Sequence, residues 1–488
     1  MNEAFQGLEP QALWRYFDLI SSIPRCSGKE EKIREAVKKI GREKGLEVRE
    51  DKVGNLVLAV PASPGKESAP TVVLQGHLDM VCEKNRDVDH DFETQGIQVL
   101  RDGDWITARG TTLGADNGVA VAAALALLDD PPATHGPLEL LFTVDEERGL
   151  TGASGIEPHM LKGRILLNLD SEEEGFVTVG CAGGGDTLVE IRGGRQDPPQ
   201  GWKALEIRVE GLTGGHSGMD IIHNRANSLK CLARVLERAA ARAGGFLLHS
   251  LEGGSKRNAI PREARALASF PAGTEKKVEE AAKAVEEELK GEFGATDPDL
   301  KVLVASPSGK ITRKPFEEET SGKILDLLLA LHSGVYAMDR NIPGLVETSN
   351  NLGVAQTEGD VVSLVNCTRS SVNTALEAAR AGLAALGRLA GGKVTLEPSY
   401  PGWKPNLDSP LLETFKRVHK EVTGKEPEVM AIHAGLECGI LGEHFPGMDM
   451  ISFGPDMEAV HSPDERLNIP STRRFFQLLK ALLEALAS

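Results

Sequence analysis

The sequence predicts an α/β protein: a catalytic domain with a mostly parallel central sheet, interrupted by an inserted α+β lid domain. Three observations lead there. Apolar, strand-like runs alternate with helical periodicity at both ends of the chain. One helical stretch, VAVAAALALLDD at 119–130, is apolar nearly all round, as suits a helix buried between layers. From about residue 187 the pattern gives way to glycine-rich turns, a hairpin and long amphipathic helices, and after SYPGWKPN at 399–406 the α/β alternation resumes. The expected organisation is therefore 1–186 and 400–488 as two parts of one catalytic domain, with 187–399 inserted. A chain of 488 residues is long enough for more than one core.

In chain order, residues 11–45 read as two helices: Leu13, Phe17 and Ile20 share a face of the first, and Pro24 to Gly28 breaks the chain before the second, which ends at Gly45. Strand NLVLAV at 55–60 precedes a Pro/Gly/Ser loop, and strand TVVL at 71–74 runs into Gln75-Gly76-His77-Leu78-Asp79. A polar hairpin at 99–110 leads through TTLGADNG to the buried helix, and PLELLFTVDEE at 137–147 and RILLNLDSEEEG at 164–175 supply two more strands. In the insert, a strand and glycine-rich turn span 202–218 and a long helix spans 224–245. A charged helix at 274–292 carries Val278, Ala281, Ala282, Val285 and Leu289 on one stripe. Residues 346–371 read as a hairpin turning at Thr357 to Asp360, followed by a helix at 374–391. Helix 411–424, strand 449–454 and a terminal helix complete the core.

Composition narrows the function. A formal net charge of −17 disfavours nucleic acid and anionic membranes as partners. The first twenty residues lack the basic flank, apolar core and cleavage site of a signal peptide, and no apolar run is long enough to span a bilayer, so a cytoplasmic protein is expected. Six cysteines lie far apart without a CxxC, which suits reduced thiols.

The chemistry gathers where strands end. His77 and Asp79 are two apart, on one face of an extended segment, so that one can bind a metal while the other holds its ring. Asp116 precedes the buried helix, Glu146 and Glu147 follow one strand, Asp170 follows another, and His461 follows the strand near 449. Singly, each has a plainer reading: a surface turn, a helix N-cap, an acidic helix start or a loop histidine. Together they bring acids and imidazoles to the carboxyl ends of strands, where open α/β sheets place their sites. Two imidazoles and several carboxylates, without sulfur, make a ligand set for two divalent ions, which need a bridging carboxylate and leave a second carboxylate free as general base.

These residues carry a resemblance. His77-Leu78-Asp79, Gly114-Ala115-Asp116-Asn117-Gly118, Asp145-Glu146-Glu147, Asn168-Leu169-Asp170, Gly214-Gly215-His216-Ser217-Gly218 and His461-Ser462-Pro463 resemble, in order and spacing, the dinuclear zinc exopeptidases that include aminoacylase and carboxypeptidase G. Ile23 to Gly28, Glu347 to Gly353 and Ala431 to Gly439 resemble, within that family, the cytosolic aminoacyl-histidine dipeptidases. The resemblance implies a zinc-exopeptidase-like fold, with His77 and Asp170 on one metal, Glu147 and His461 on the other, and Asp116 bridging. Asp79 would orient His77, and Glu146 would move the proton from water to the leaving amine. His216 would stabilise the oxyanion, although a glycine-rich turn explains it equally. Arg369, otherwise a surface ion-pair partner, and Asn350 would bind substrate. The implied cofactors are two divalent ions, Zn²⁺ with Co²⁺ or Mn²⁺ as alternatives. The implied activity is hydrolysis of unblocked dipeptides, C-terminal histidine favoured. The alternatives are an N-acyl-amino-acid hydrolase or tripeptidase on the same site, and a non-catalytic metal- or peptide-binding protein. Many relatives have an insert about half as long and borrow the lid histidine from a homodimer partner, so His216 could act in its own chain or across an interface.

Overall fold

The computed structural model describes residues 2–307 and 309–488. The chain divides into two units. The first comprises Met1–Cys181, Trp403–Ala431 and Leu436–Ser488, and the second Ala182–Gly402 with Ile432–Gly435.

Unit 1 is built on an eight-stranded sheet in the order Glu47–Glu50, Leu56–Val60, Leu138–Thr143, Val72–His77, Ile165–Asn168, Asp449–Ser452, Phe176–Cys181, Glu428–Ile432. Pairing is parallel among Leu138–Thr143, Val72–His77, Ile165–Asn168 and Asp449–Ser452. Strands Glu47–Glu50, Leu56–Val60 and Phe176–Cys181 join beyond these four by antiparallel pairing. The sheet is thus less parallel than the sequence suggests. The edge strands Glu47–Glu50 and Leu56–Val60 form a hairpin, which can only be antiparallel. Asp51 closes that turn by accepting the N–H groups of Val53, Gly54 and Asn55 on Oδ1. All six residues of Val72–His77 and of Leu138–Thr143 are buried, as expected of strands covered on both faces. Helix Ala115–Ala126 lies against this sheet with Val119 to Ala126 all buried. Gly76 allows the approach: a Cβ there would stand 2.4 Å from Asn117 Oδ1 and 2.8 Å from the Ala120 Cβ. Because the four central strands run the same way, His77, Asp145 to Glu147 and Asp170 emerge at one edge of the sheet.

Unit 2 carries an antiparallel nine-stranded sheet, with Val346–Glu358 and Val361–Ser370 as its long central hairpin. The last ladder pair, Glu358↔Val361, closes the turn where the sequence placed it. Helix Glu275–Phe293 buries the stripe Val278, Ala281, Ala282, Val285 and Leu289, leaving its charged face to water. Helix Glu318–Ala330, not anticipated from the sequence, ends on Lys230, whose Nζ donates to the carbonyls of Leu328, Leu329 and Leu331. These are C-terminal carbonyls that lack intrahelical partners, and a cation is the favoured cap for them.

One expectation is corrected. Cys26 and Cys82 form a disulfide, with Cα atoms 5.7 Å apart, rather than two separate thiols. Their separation of 56 residues hid the proximity. The backbone bridge between Cys26 and Met80 brings the 24–28 segment alongside the chain just after Asp79. Cys181, Cys231, Cys367 and Cys438 are free and buried. Among the described residues, no helix is long and apolar enough to cross a membrane.

Candidate active site

The site in unit 1 is assembled from backbone held by buried acids. Asp79 is fully buried. Its Oδ1 accepts the N–H of Glu146 at 3.1 Å and its Oδ2 that of Glu147 at 3.3 Å. The N–H of Asp145, which has φ +52°, goes to Glu30 Oε1 at 3.1 Å. Asp79 Oδ1 also lies 3.3 Å from His77 Nδ1. That contact directs the Nδ1 proton to Asp79 and leaves the Nε2 lone pair free for a ligand.

His77 Nε2 stands 2.9 Å from Asp116 Oδ1 and 3.5 Å from Asp170 Oδ1. His461 Nε2 stands 3.0 Å from Asp116 Oδ2 and 2.9 Å from Glu147 Oε1. Asp116 therefore offers one oxygen to each imidazole, the arrangement a bridging carboxylate requires. Tetrahedral zinc with nitrogen and oxygen ligands at about 2.0–2.1 Å has ligand–ligand edges of about 3.3 Å, so these spacings fit a cation at the centre of each group. The two groups, His77/Asp116/Asp170 and Asp116/Glu147/His461, share only Asp116, and a third, His77/Glu146/Glu147, brings Glu146 to the same place. All five ligands expected from the sequence come together, with Asp79 and Glu146 beside them.

The electrostatics agree with a site that calls for cations. Burial pushes the Glu146 carboxyl well above the ordinary carboxylate range; His77 opposes the shift, while Asp170, Glu437 and Glu147 add to it. Burial likewise pushes Asp170 up to about 7 against the pull of His77. Two imidazoles do not balance so many buried carboxylates, and divalent ions would.

Sequence reasoning missed the supports. Glu437 is fully buried, and its Oε2 accepts from Gln75 Nε2 at 2.6 Å and Thr143 Oγ1 at 2.7 Å. Gln75 Oε1 in turn accepts from Asn168 Nδ2 at 2.5 Å, so a polar network joins three central strands just short of the ligands. Arg25, also buried, donates to the carbonyls of Leu78 and Asp79 at 3.1 and 2.8 Å, and to that of Gly114. Gln75 and Asn168, two residues before His77 and Asp170, were open to recognition from strand alternation; Glu437 and Arg25 had no such signal.

The remaining predicted residues lie in unit 2. His216 Nδ1 accepts the N–H of Met219 at 3.1 Å, so the neutral ring carries its proton on Nε2. Burial and the Arg369 charge both lower its pKa, keeping it neutral. Arg369 Nη2 approaches that Nε2 to 3.5 Å, while Nη1 reaches Tyr400 Oη at 3.3 Å and Nε reaches Ser217 Oγ at 3.4 Å. Two donors, the His216 Nε2–H and the Arg369 guanidinium, thus converge. Asn350 is placed differently. It is fully buried in the sheet, its Nδ2 donating to His332 O and Asn366 Oδ1 while its Oδ1 accepts from Thr368 Oγ1. Both amide protons are spent, and the side chain serves the sheet of unit 2. A groove of about 600 Å³ elsewhere in unit 2, lined by Arg208, Glu252, Arg262 and Arg265 among others, contains none of the predicted residues.

The family model described as peptidase family M20/M25/M40 matches residues 73–485. The cytosol non-specific dipeptidase of Escherichia coli (strain K12) is 39% identical over 484 residues, covering 99% of both chains. The crystal structure of aminoacylhistidine dipeptidase from Vibrio alginolyticus superposes with a TM-score of 0.91 at 41% identity, covering 99% of this chain and 98% of that one. Aminopeptidase PepT from Bacillus cereus shares the fold at a TM-score of 0.57 and 17% identity, over 99% of this chain and all of that one.

Proposed function

The chain belongs to peptidase family M20/M25/M40, and from that membership we propose that it is a dinuclear metallodipeptidase acting on unblocked dipeptides, with C-terminal histidine favoured. The observation that carries the reading is the position of Asp116, one oxygen toward His77 and the other toward His461. His77 and Asp170 would hold one ion, Glu147 and His461 the other, with Asp116 between them. Zn²⁺ suits the nitrogen and oxygen donors, and Mn²⁺ or Co²⁺ would be accepted by the same set. When bound, the ions supply Lewis acidity toward water and the scissile carbonyl.

The side chains do the rest. Glu146, held by its backbone on Asp79 and half-buried beside the ligands, takes the proton of the attacking water and returns it to the leaving amine. Asp79 keeps the His77 ring in its ligating tautomer. In unit 2, the His216 Nε2–H is a neutral donor suited to the developing oxyanion, and Arg369 suits the substrate carboxylate through a planar fork. Asn350, its protons already used, is given no part in substrate binding. The cytosol is the proposed location, by likeness to the E. coli dipeptidase.

The substrate class rests on the two relatives named for dipeptide hydrolysis. The test is a panel of free dipeptides, N-acetylated amino acids and tripeptides, assayed after loading with each metal. Fast turnover of dipeptides, Xaa-His among the best, is expected. Preference for N-acetyl amino acids or tripeptides would redirect the assignment within the family, and no turnover of any member would leave a binding protein. Activity regained on mixing His216→Ala with Glu146→Gln subunits would mark a homodimer in which His216 serves the partner's metal pair.

A further inference from the structure

Glu465 lies four residues beyond His461, in a run, Pro463-Asp464-Glu465-Arg466, that reads as surface loop. The structure buries it, at 2% exposure, and spends both its oxygens on one stretch of backbone. Oε2 accepts the N–H groups of Leu113 at 2.7 Å and Gly114 at 2.9 Å. Oε1 accepts those of Ala115 at 2.8 Å and Asp116 at 3.3 Å. Four successive amides form a concave anion-binding nest, and hydrogen bonds to an ionised acceptor are the strong kind. The nest requires Gly114 at φ +70°, where a Cβ would also collide with Arg25 Nη2 at 2.5 Å. Arg25 grips the same turn through the Gly114 carbonyl and ties it to Leu78 and Asp79.

We infer that Glu465 is a positioning residue: by seating itself in the nest beneath Asp116 it fixes the reach from His461 to the bridging carboxylate, and so sets the affinity of the Asp116/Glu147/His461 metal position. Asp116 and His461 are 345 residues apart in sequence, yet Asp116 Oδ2 and His461 Nε2 stand 3.0 Å apart. The ladder from Arg466↔Thr107 to Asn468↔Trp105 brings the two segments side by side, and among the described residues the Glu465 carboxylate carries that join on to the 113–116 turn itself. The His77/Asp116/Asp170 position depends on it less, because His77 and Asp170 come from paired strands. The inference rests on the metal reading proposed above.

The experiment is Glu465→Gln, which keeps the side-chain volume but places an NH₂ donor against two of the four amides. Calorimetric titration of the apo-protein with Zn²⁺ is expected to show one position weakened about 10- to 100-fold, the usual cost of losing an outer partner, and the other nearly unchanged. The kcat should fall with KM changed little. Glu139→Gln is the control, since Glu139 is another buried acid of unit 1 that accepts backbone N–H groups, from Lys162 and Gly163, but touches no ligand segment. It should lower Tm and leave both metal affinities alone. A folded Glu465→Gln protein that binds both ions as wild type does would overturn the inference, as would equal weakening of both ions in the control. If Glu465→Gln does not fold, hydrogen exchange on the wild-type apo-protein decides. Slow exchange at Leu113 to Asp116 without metal supports the inference, and fast exchange that slows only on metal addition overturns it. Wild-type protein binding fewer than two ions would instead count against the metal reading itself, whatever the exchange data show.

Discussion

The two units hold their functional groups in opposite ways. In unit 1 the acids that support the site are already committed. Asp79, Glu30 and Glu465 are bound to backbone N–H groups at 2.7–3.3 Å and fix the segments from which the ligands project. In unit 2 the corresponding groups have capacity to spare. The three contacts of Arg369 are 3.3–3.5 Å, and the Nε2–H of His216 faces a guanidinium, a donor facing a donor. A donor pair of that kind is completed by an anion. The difference teaches that the cluster in unit 1 is shaped before any ligand arrives, whereas the His216–Arg369 pair in unit 2 is arranged to be finished by an anion.

The largest test of this contrast is Glu146→Gln. It should lower kcat about 10²- to 10⁴-fold, the usual range for a general acid–base group, with metal content by elemental analysis and KM near wild type. A drop in metal content instead would show that Glu146 supports the ions. Chelation comes next. Removing ions present at about 100 times their Kd should cost about 2.7 kcal/mol per site, and scanning calorimetry should place that loss in unit 1 alone. An equal shift of both transitions would break the comparison. Arg369→Met should reduce kcat/KM for free dipeptides roughly 10- to 100-fold, in line with about 1.5–3 kcal/mol for hydrogen bonds to a charged group. It should spare dipeptide amides, which lack the carboxylate; equal loss on both would deny Arg369 that contact. The smallest effect belongs to Lys230→Met, which uncaps helix Glu318–Ala330 and should destabilise unit 2 by about 1–2 kcal/mol without altering metal affinity, as read by urea denaturation and zinc titration.

What the sequence made legible follows from how each residue is placed. His77, Asp170 and the Glu146-Glu147 pair sit at ends of apolar strands, where the strand announces itself and the end follows. Their convergence could be read because parallel strands deliver their carboxyl ends to one edge. The stripe of helix Glu275–Phe293 was equally plain, since periodicity records burial. Glu465 was not, because an acid buried by backbone donors looks like an acid on a surface until those donors are located. Asn350 is a different case: it came only from the resemblance carried by Glu347 to Gly353, and the neighbouring strand and loop hold both its amide protons. The Cys26–Cys82 pair depended on two loops meeting beside Met80, a contact without sequence signature. The antiparallel flanks of the unit 1 sheet were hidden for a simpler reason, since a buried strand looks the same whichever way its neighbour runs.

The order of strands in unit 1 bears on how the protein is made. Strand Asp449–Ser452 pairs with both Ile165–Asn168 and Phe176–Cys181, so the sheet lacks an interior member until residues 449–452 have been synthesised. The nine strands of unit 2 all lie between residues 183 and 396. On the ribosome, the unit 2 sheet therefore has all its strands while the unit 1 sheet still waits for two, Glu428–Ile432 and Asp449–Ser452, and since domains fold as units, the peptide-cleaving half is the last to close. His461 and Glu465 leave the ribosome later still. Four of the five proposed metal ligands are present in the nascent chain well before the fifth, and the proposed site is complete only once His461 has emerged.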